Sequence, residues 1–268
     1  MKALDPHSPH QMPAHFGPRP QSPKSSGWYR DVTAMVVSYA TDRDQLAAYL
    51  PPPFEVDERA IVSVTYACNR EVDWLAGHGY NMIAVNASAR FLGEETREGN
   101  YTLVIWENLT DPILVGRETQ GIPKVYADIP DHAVIDGAWH SNASHFGHKF
   151  LDMDIHNLRE PTAEELALDA GHVPGRENPM PWRFMPGILG FGQSLSEAAV
   201  YPQENVLREQ WVGEGRLAWQ ELTWEQNPTQ CHIVNALAAL PVLEWLPATV
   251  SRGSTNLIVP ERLPGVIR

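Results

Sequence analysis

The chain carries positive charge almost always as arginine: Lys2, Lys24, Lys124 and Lys149 are its only lysines, against sixteen arginines. Lys124 lies inside "GRETQGIPKVYADIP", flanked by Ile122, Pro123, Val125 and Tyr126. A lysine amine attacks carbon only when neutral, and with an ordinary pKa of about 10.4 roughly one amine in a few thousand is neutral at pH 7. Apolar burial disfavours the ammonium, and bringing the pKa to about 7 means destabilising the cation by roughly 4–5 kcal/mol. A neutral amine condenses with a ketone to an imine, whose protonated form is an electron sink for a developing carbanion. Arginine stays protonated at physiological pH and cannot do this. The residues alone also allow a lysine with a buried stem and an exposed head.

A second set of chemistry-bearing residues lies in "HSNASHFGHKFLDMDIH", with His140, His145, His148 and His156 and with Asp152 and Asp154 between the last two. Histidine plus carboxylate suits a divalent metal. Strand alternation puts His148, Phe150, Asp152, Asp154 and His156 on one face and Lys149, Leu151, Met153 and Ile155 on the other. His148 and His156 are then roughly 26 Å apart along a flat strand, which suits a solvated face better than a metal site. Cys231 and His232 are adjacent, but a catalytic pair needs spatial geometry and not adjacency. The chain has no Gly-x-Ser-x-Gly elbow, phosphate-binding glycine loop, His-Glu-x-x-His or dinucleotide fingerprint.

Elements must position these groups, and the pattern is mainly β. Residues 1–27, rich in Pro, His and Ser and with little to bury, read as a flexible arm or one that wraps a neighbouring subunit. "VTAMVVSYA" is strand-like; "TDRDQLAAYL" follows as a short helix capped by Thr41 or Asp42 and stopped by Pro51, Pro52 and Pro53. "AIVSVTYAC", "NMIAVNASARF" and "YTLVIWEN" are β-rich runs, the last two joined by the hairpin turn in "GEETREGN". "HKFLDMDIH" and "GRLAWQELTWEQ" are further strands, "TAEELALDAG" is a helical candidate, and residues 231–246 read as an apolar helix. The expected fold is mainly β (α+β): one antiparallel domain over residues 28–268, closing as a barrel or cone around an interior cavity, with a few short helices.

Composition bounds the partners. With 43% hydrophobic and 20% charged residues the chain is an ordinary globular one, and its formal charge of −13 disfavours nucleic acid and anionic membrane as partners. Cys68 and Cys231 allow one disulfide but no secreted disulfide framework. There is neither a leader-like apolar run nor a stretch of about 18 apolar residues, so a cytoplasmic location is expected.

Four segments carry a resemblance to a known family. "VGRETQGIPKVYADIP" resembles the active-site segment of the acetoacetate decarboxylase family, with Gly-Arg-Glu followed at the right spacing by Pro-Lys. "YATDRDQLAAYLPPPFEVDE", "PWRFMPG" and "WEQNPTQCHIVNALAALPVLEW" resemble its early, later and C-terminal segments, in order. The resemblance implies a largely antiparallel β domain around a cavity, a homo-oligomer, and no metal or organic cofactor. It makes Lys124 the Schiff-base lysine; activation of that kind is an established feature of acetoacetate decarboxylase itself. Arg183 takes the basic place of the later motif, facing a substrate carboxylate or serving structure. Tyr80 and Met82 become pocket-wall candidates, and Arg117 and Glu118 a loop-shaping ion pair.

The departures bear on substrate. Val125 stands where decarboxylases carry a second lysine, Met82 where they carry a glutamate, and "AIVSVTYAC" lacks the acidic residue expected there. Arg30 is about two residues out of register for the arginine expected near the first strand. A divergent branch of the family uses the same lysine for aldol addition and dehydration on pyruvate-like keto acids and aldehydes, and places a glutamine four residues before it, as Gln120 stands here. The resemblance therefore implies a lyase forming an imine between Lys124 and a small keto acid or other carbonyl substrate, other than acetoacetate, with Gln120 as hydrogen-bond donor. The competing readings are a silent binding protein for a small carbonyl ligand and a metal-dependent β-barrel enzyme using His148 and His156.

Overall fold

Alternation across "VTAMVVSYA" extends further than the segment itself. In the computed structural model of the protein, which describes residues 7–20, 22–165, 179–201, 203–257 and 265–268, strand β1 runs Trp28–Ala40. Asp42 caps the short helix α1 (Arg43–Ala47), its side chain accepting from Gln45 N at 2.9 Å. Strands β2 (Phe54–Val56), β3 (Ile61–Val72), β4 (Tyr80–Leu92) and β5 (Thr96–Glu107) follow. Helix α2 (Thr110–Val115) leads to β6 (Lys124–Tyr126). Then come β7 (Ala133–Ile135), β8 (Ala138–His145), β9 (His148–Arg159), β10 (Trp182–Pro186), β11 (Gln193–Val200) and β12 (Glu204–Trp219). Helix α3 (Cys231–Ala238), β13 (Glu244–Trp245), β14 (Pro247–Asn256) and β15 (Gly265–Ile267) complete the order.

Twelve strands form one sheet in the order β6-β5-β4-β3-β1-β14-β12-β9-β8-β7, with β13 beside β1 and β2 beside β4. Strands β10, β11 and β15 form a second, small sheet. Every ladder is antiparallel except β5–β6. The period of two sends Met35, Val37, Val62, Val64, Tyr66, Ile83, Val104 and Trp106 into the main core. Burying each large apolar side chain contributes about 1.5–3 kcal/mol. On the other face of β4, Tyr80 joins Tyr29 and Val72 in a second cluster, with Met82, Trp74 and Leu109 packed against it.

The architecture is mainly β with a few short helices, as expected; among the described residues no continuous ladder joins the two ends of the large sheet. The ends of the sheet approach at one bridge, where Asp128 N donates to Ser144 O at 2.7 Å and Ser144 N to Asp128 O at 3.0 Å. Residues 231–246 are not one helix: α3 ends at Ala238, and Glu244–Trp245 pair with β1. The face assignment of Lys149 and Phe150 is inverted, with Phe150 buried and Lys149 exposed and paired to Asp152 at 2.7 Å. The cause is a bulge in β9 itself: consecutive Ala143 and Ser144 of β8 pair with Leu151 and Lys149, which leaves Phe150 as the extra residue. Of the helical candidate at 162–171, residues 163–165 are helical and the part from 166 on lies outside the described residues. Both cysteines are free, and among the described residues no helix is long and apolar enough to cross a membrane. In the arm, Met12 N donates to Glu118 Oε2 at 3.0 Å, and the Arg19 guanidinium lies over the Trp74 ring.

Candidate active site

The segment that holds Lys124 is built by a helix that changes its winding. Pro112 is tolerated in α2 because it stands in the first turn, where its missing N–H has no intrahelical partner to lose. The chain then widens into a π turn at Gly116–Gln120, which Gly121 ends with φ +72. Ile122 N bonds back to Gly116 O at 3.1 Å, and Ile105 N of β5 takes Pro123 O at 3.1 Å. These bonds start β6 parallel to β5, with Lys124 opposite Ile105 and Tyr126 opposite Glu107. Gln230, just before α3, staples the pair: it accepts from Trp106 Nε1 at 2.7 Å and donates to Tyr126 O at 2.9 Å.

Register then dictates which side chains meet. Asn69 is opposite Tyr80, Met82 opposite Glu107, and Lys124 opposite Ile105, so all five named polar and pocket residues share one face of the sheet. Lys124 Nζ lies 2.7 Å from Glu107 Oε1, with Lys124 7% and Glu107 0% exposed. Nζ also donates to Pro112 O at 3.2 Å. Gly116 makes room for the lysine: a Cβ there would stand 2.5 Å from Lys124 Cδ, 2.6 Å from Cε and 3.0 Å from Nζ. Neither Glu107 oxygen makes a well-directed hydrogen bond among the described residues; Oε1 meets the ammonium as an ion pair, and Oε2 is without a partner. Asn69 Nδ2, on the same face, is likewise unpartnered.

Burial pushes the Glu107 carboxyl above its ordinary value, and the Lys124 charge pulls it part of the way back. Tyr80 OH donates to Tyr29 OH at 3.2 Å, and Trp74 Nε1 donates to the same oxygen at 3.0 Å. Burial, more than any other cause, pushes Tyr29 up to about 12 and Tyr80 well above its ordinary value. The charge of Glu107 acts in the same direction on both, so both phenols remain neutral at physiological pH.

Of the residues singled out from sequence, Lys124, Tyr80 and Met82 come to this face. Gln120 ends the π turn half-buried, with no side-chain hydrogen bond among the described residues. The ion pair expected between Arg117 and Glu118 is not among those of the described residues. Arg117 instead donates to the Lys124 carbonyl at 2.8 Å, fixing the lysine's backbone. Arg183 donates to Glu197 Oε1 and to Glu118 O, each at 2.9 Å, and so braces the π turn from β10. Val125 packs toward the main core, on the face away from the Lys124 amine. Arg30 pairs with Asp73 on the surface. Among the described residues no three His, Cys, Asp or Glu side chains gather as a metal set, so His148 and His156 acquire no such company.

Sequence reading missed Glu107. It sought glutamates at position 82 and in β3, whereas the carboxylate enters from β5. The available signal was a charged residue ending the apolar run "YTLVIWEN", where burial continues. Surface clefts elsewhere include one lined by Asn157, Arg159, Arg216 and Trp245 and one lined by Glu94, Arg97 and Arg268.

With this geometry in view, the likenesses to known proteins fall into place. A family model described as acetoacetate decarboxylase (ADC) matches residues 11–254. The acetoacetate decarboxylase of Burkholderia multivorans is 25% identical over 232 residues, 83% of this chain and 82% of that protein. The crystal structure of the Legionella pneumophila acetoacetate decarboxylase superposes with a TM-score of 0.72 at 16% identity, over 99% of this chain and 98% of that one. The enduracididine biosynthesis enzyme MppR, solved with the condensation product of pyruvate and imidazole 4-carboxaldehyde, has a TM-score of 0.65 at 16% identity over 87% of each chain. The chain belongs to the acetoacetate decarboxylase family.

Proposed function

We propose that this member of the acetoacetate decarboxylase family is a carbon–carbon lyase in which Lys124 forms a Schiff base with a small carbonyl substrate, a keto acid foremost. The observation that carries this reading is the amine itself. It is buried, seated over Gly116 where no side chain fits, and its close charged contact is Glu107 at 2.7 Å. A buried amine held in one place, with a carboxylate in contact that can take its proton, is positioned for attack on a bound carbonyl as a solvated lysine is not. The resulting iminium draws electrons from the neighbouring carbon, so the imine supplies its own electron sink.

Two bond changes share that intermediate: loss of carbon dioxide from a β-keto acid, and aldol addition with loss of water. The family supports the first, and the pyruvate condensation product held by MppR supports the second. Position 125 bears on the choice. Its side chain points into the main core, so no second cation from that position stands beside the Lys124 amine. Reacting the protein with acetoacetate, and with pyruvate plus a panel of aldehydes, tests the reading. Carbon dioxide release or a condensation product that falls to background in Lys124→Ala supports it; turnover undiminished in that variant overturns it.

A further inference from the structure

A buried carboxylate normally has its oxygens satisfied, and one that is not marks a place where another molecule's donor belongs. Glu107 is fully buried, with one oxygen on the Lys124 amine and the other without a hydrogen-bond partner among the described residues. Other acidic groups of the segment are differently employed: Glu118 is bonded by the arm at Met12, and Asp128 by Tyr126. Among the described residues Glu107 is the one carboxylate in contact with Lys124 Nζ.

We infer that Glu107 is the proton-carrying catalytic residue of this site, with Oε1 serving the Lys124 nitrogen and Oε2 receiving the substrate's hydroxyl or acidic α-carbon hydrogen. The inference rests on the Schiff-base reading of Lys124 and adds the group that moves the protons. In the first step the ammonium passes a proton to Glu107, and the amine lone pair attacks the carbonyl carbon. The carbonyl oxygen collects two protons in turn, one of them returned by Glu107, and leaves as water. The three ammonium hydrogens are thereby accounted for, one staying on the iminium nitrogen and two departing in the water.

In the second step the α C–H bond breaks and its electron pair becomes a C=C bond. The C=N π pair returns to nitrogen as a lone pair, and the proton goes to the Glu107 carboxylate, leaving a neutral enamine beside a neutral acid. Run backwards, the step gives the enamine left by decarboxylation a proton that Glu107 has first taken from water, so one residue serves either bond change. Burial that raises the Glu107 pKa makes it a stronger base toward carbon than a solvated carboxylate.

The reaction to follow is exchange of α-hydrogens of acetone and of pyruvate in D2O by proton NMR, alongside borohydride trapping at Lys124 after full equilibration. Wild type should exchange faster than buffer. In Glu107→Gln, trapping should reach its full extent while exchange drops about 10²–10⁴-fold. Wild-type exchange should also fall as acid protonates Glu107, and that limb should vanish in Glu107→Gln. If Glu107→Gln does not fold, Glu107→Asp keeps the carboxylate and should show slowed exchange with the acid limb retained. Trapping at Lys124 with exchange unchanged in Glu107→Gln, or with none in wild type, overturns the role of Glu107 and leaves the lysine reading standing. Failure of wild type to be trapped at Lys124 removes the lysine reading itself.

Discussion

A lysine and a glutamate 2.7 Å apart and out of water are costly to separate. Removing one partner of a buried pair leaves an uncompensated charge worth about 3–5 kcal/mol, whereas replacing both with apolar groups is near neutral. Lys124→Met should therefore lower stability in urea titration, and Lys124→Met combined with Glu107→Leu should restore most of the loss. The single variant also has a signed pH dependence. Without the lysine, Glu107 loses the charge that holds its raised pKa down, so the folded state binds the proton more tightly than the unfolded state at its value of 4.5. Protonation then favours folding: measured against wild type at each pH, the variant's loss of stability should be smallest in acid and grow as pH rises through the folded pKa. A difference that is flat, or that shrinks as pH rises, would count against this pairing. At the same scale, Gly116→Ala should lower the melting temperature and cut the rate of imine trapping together, because its Cβ meets three atoms of a lysine held in a buried ion pair. Lys124 was legible in the sequence because its residue type is scarce and its chemistry specific. Glu107 was not, since nothing in a linear reading says that the end of β5 lies beside the start of β6.

At the scale of elements, the β5–β6 pair depends on a graft from α3. Gln230 satisfies Trp106 Nε1 and Tyr126 O together. Gln230→Ala strands both and should cost about 1–3 kcal/mol in urea titration while slowing imine formation. A loss of stability with unchanged trapping would show that β6 holds its place without the staple. The strands themselves were legible from alternation, and the β4–β5 hairpin from its turn residues. Helix α2 and the π turn were not, because "TDPILVGRETQ" carries a proline and a glycine that argue against a helix, and a winding change has no residue signature. The inversion of Lys149 and Phe150 has the same origin: a bulge at Phe150 changes faces along β9, and only the pairing with β8 reveals it.

Over the whole molecule, ionic ties join segments distant in sequence. Asp73 binds Arg30 and Ser26, and Asp131 binds Asn81 and Arg70, and these hydrogen bonds hold both carboxyls below their ordinary value of 3.8. A depressed carboxyl contributes stability above its unfolded pKa and loses it as pH falls through the folded one. The urea midpoint should thus decline below about pH 4, and Asp131→Asn should flatten that decline; an unchanged slope would assign the acid sensitivity elsewhere. Sheet class and strand direction were evident from the sequence at this scale, but the approach of the sheet's ends through Asp128 and Ser144 was not, since a lone bridge leaves no periodic trace. The central claim is a covalent one, and borohydride reduction in the presence of a carbonyl panel, followed by peptide mass spectrometry, addresses it most directly. A substrate-sized adduct on the peptide bearing Lys124, absent in Lys124→Arg, is the predicted result. No adduct on that peptide with any keto acid, ketone or aldehyde, or labelling spread evenly over Lys2, Lys24 and Lys149, would contradict it.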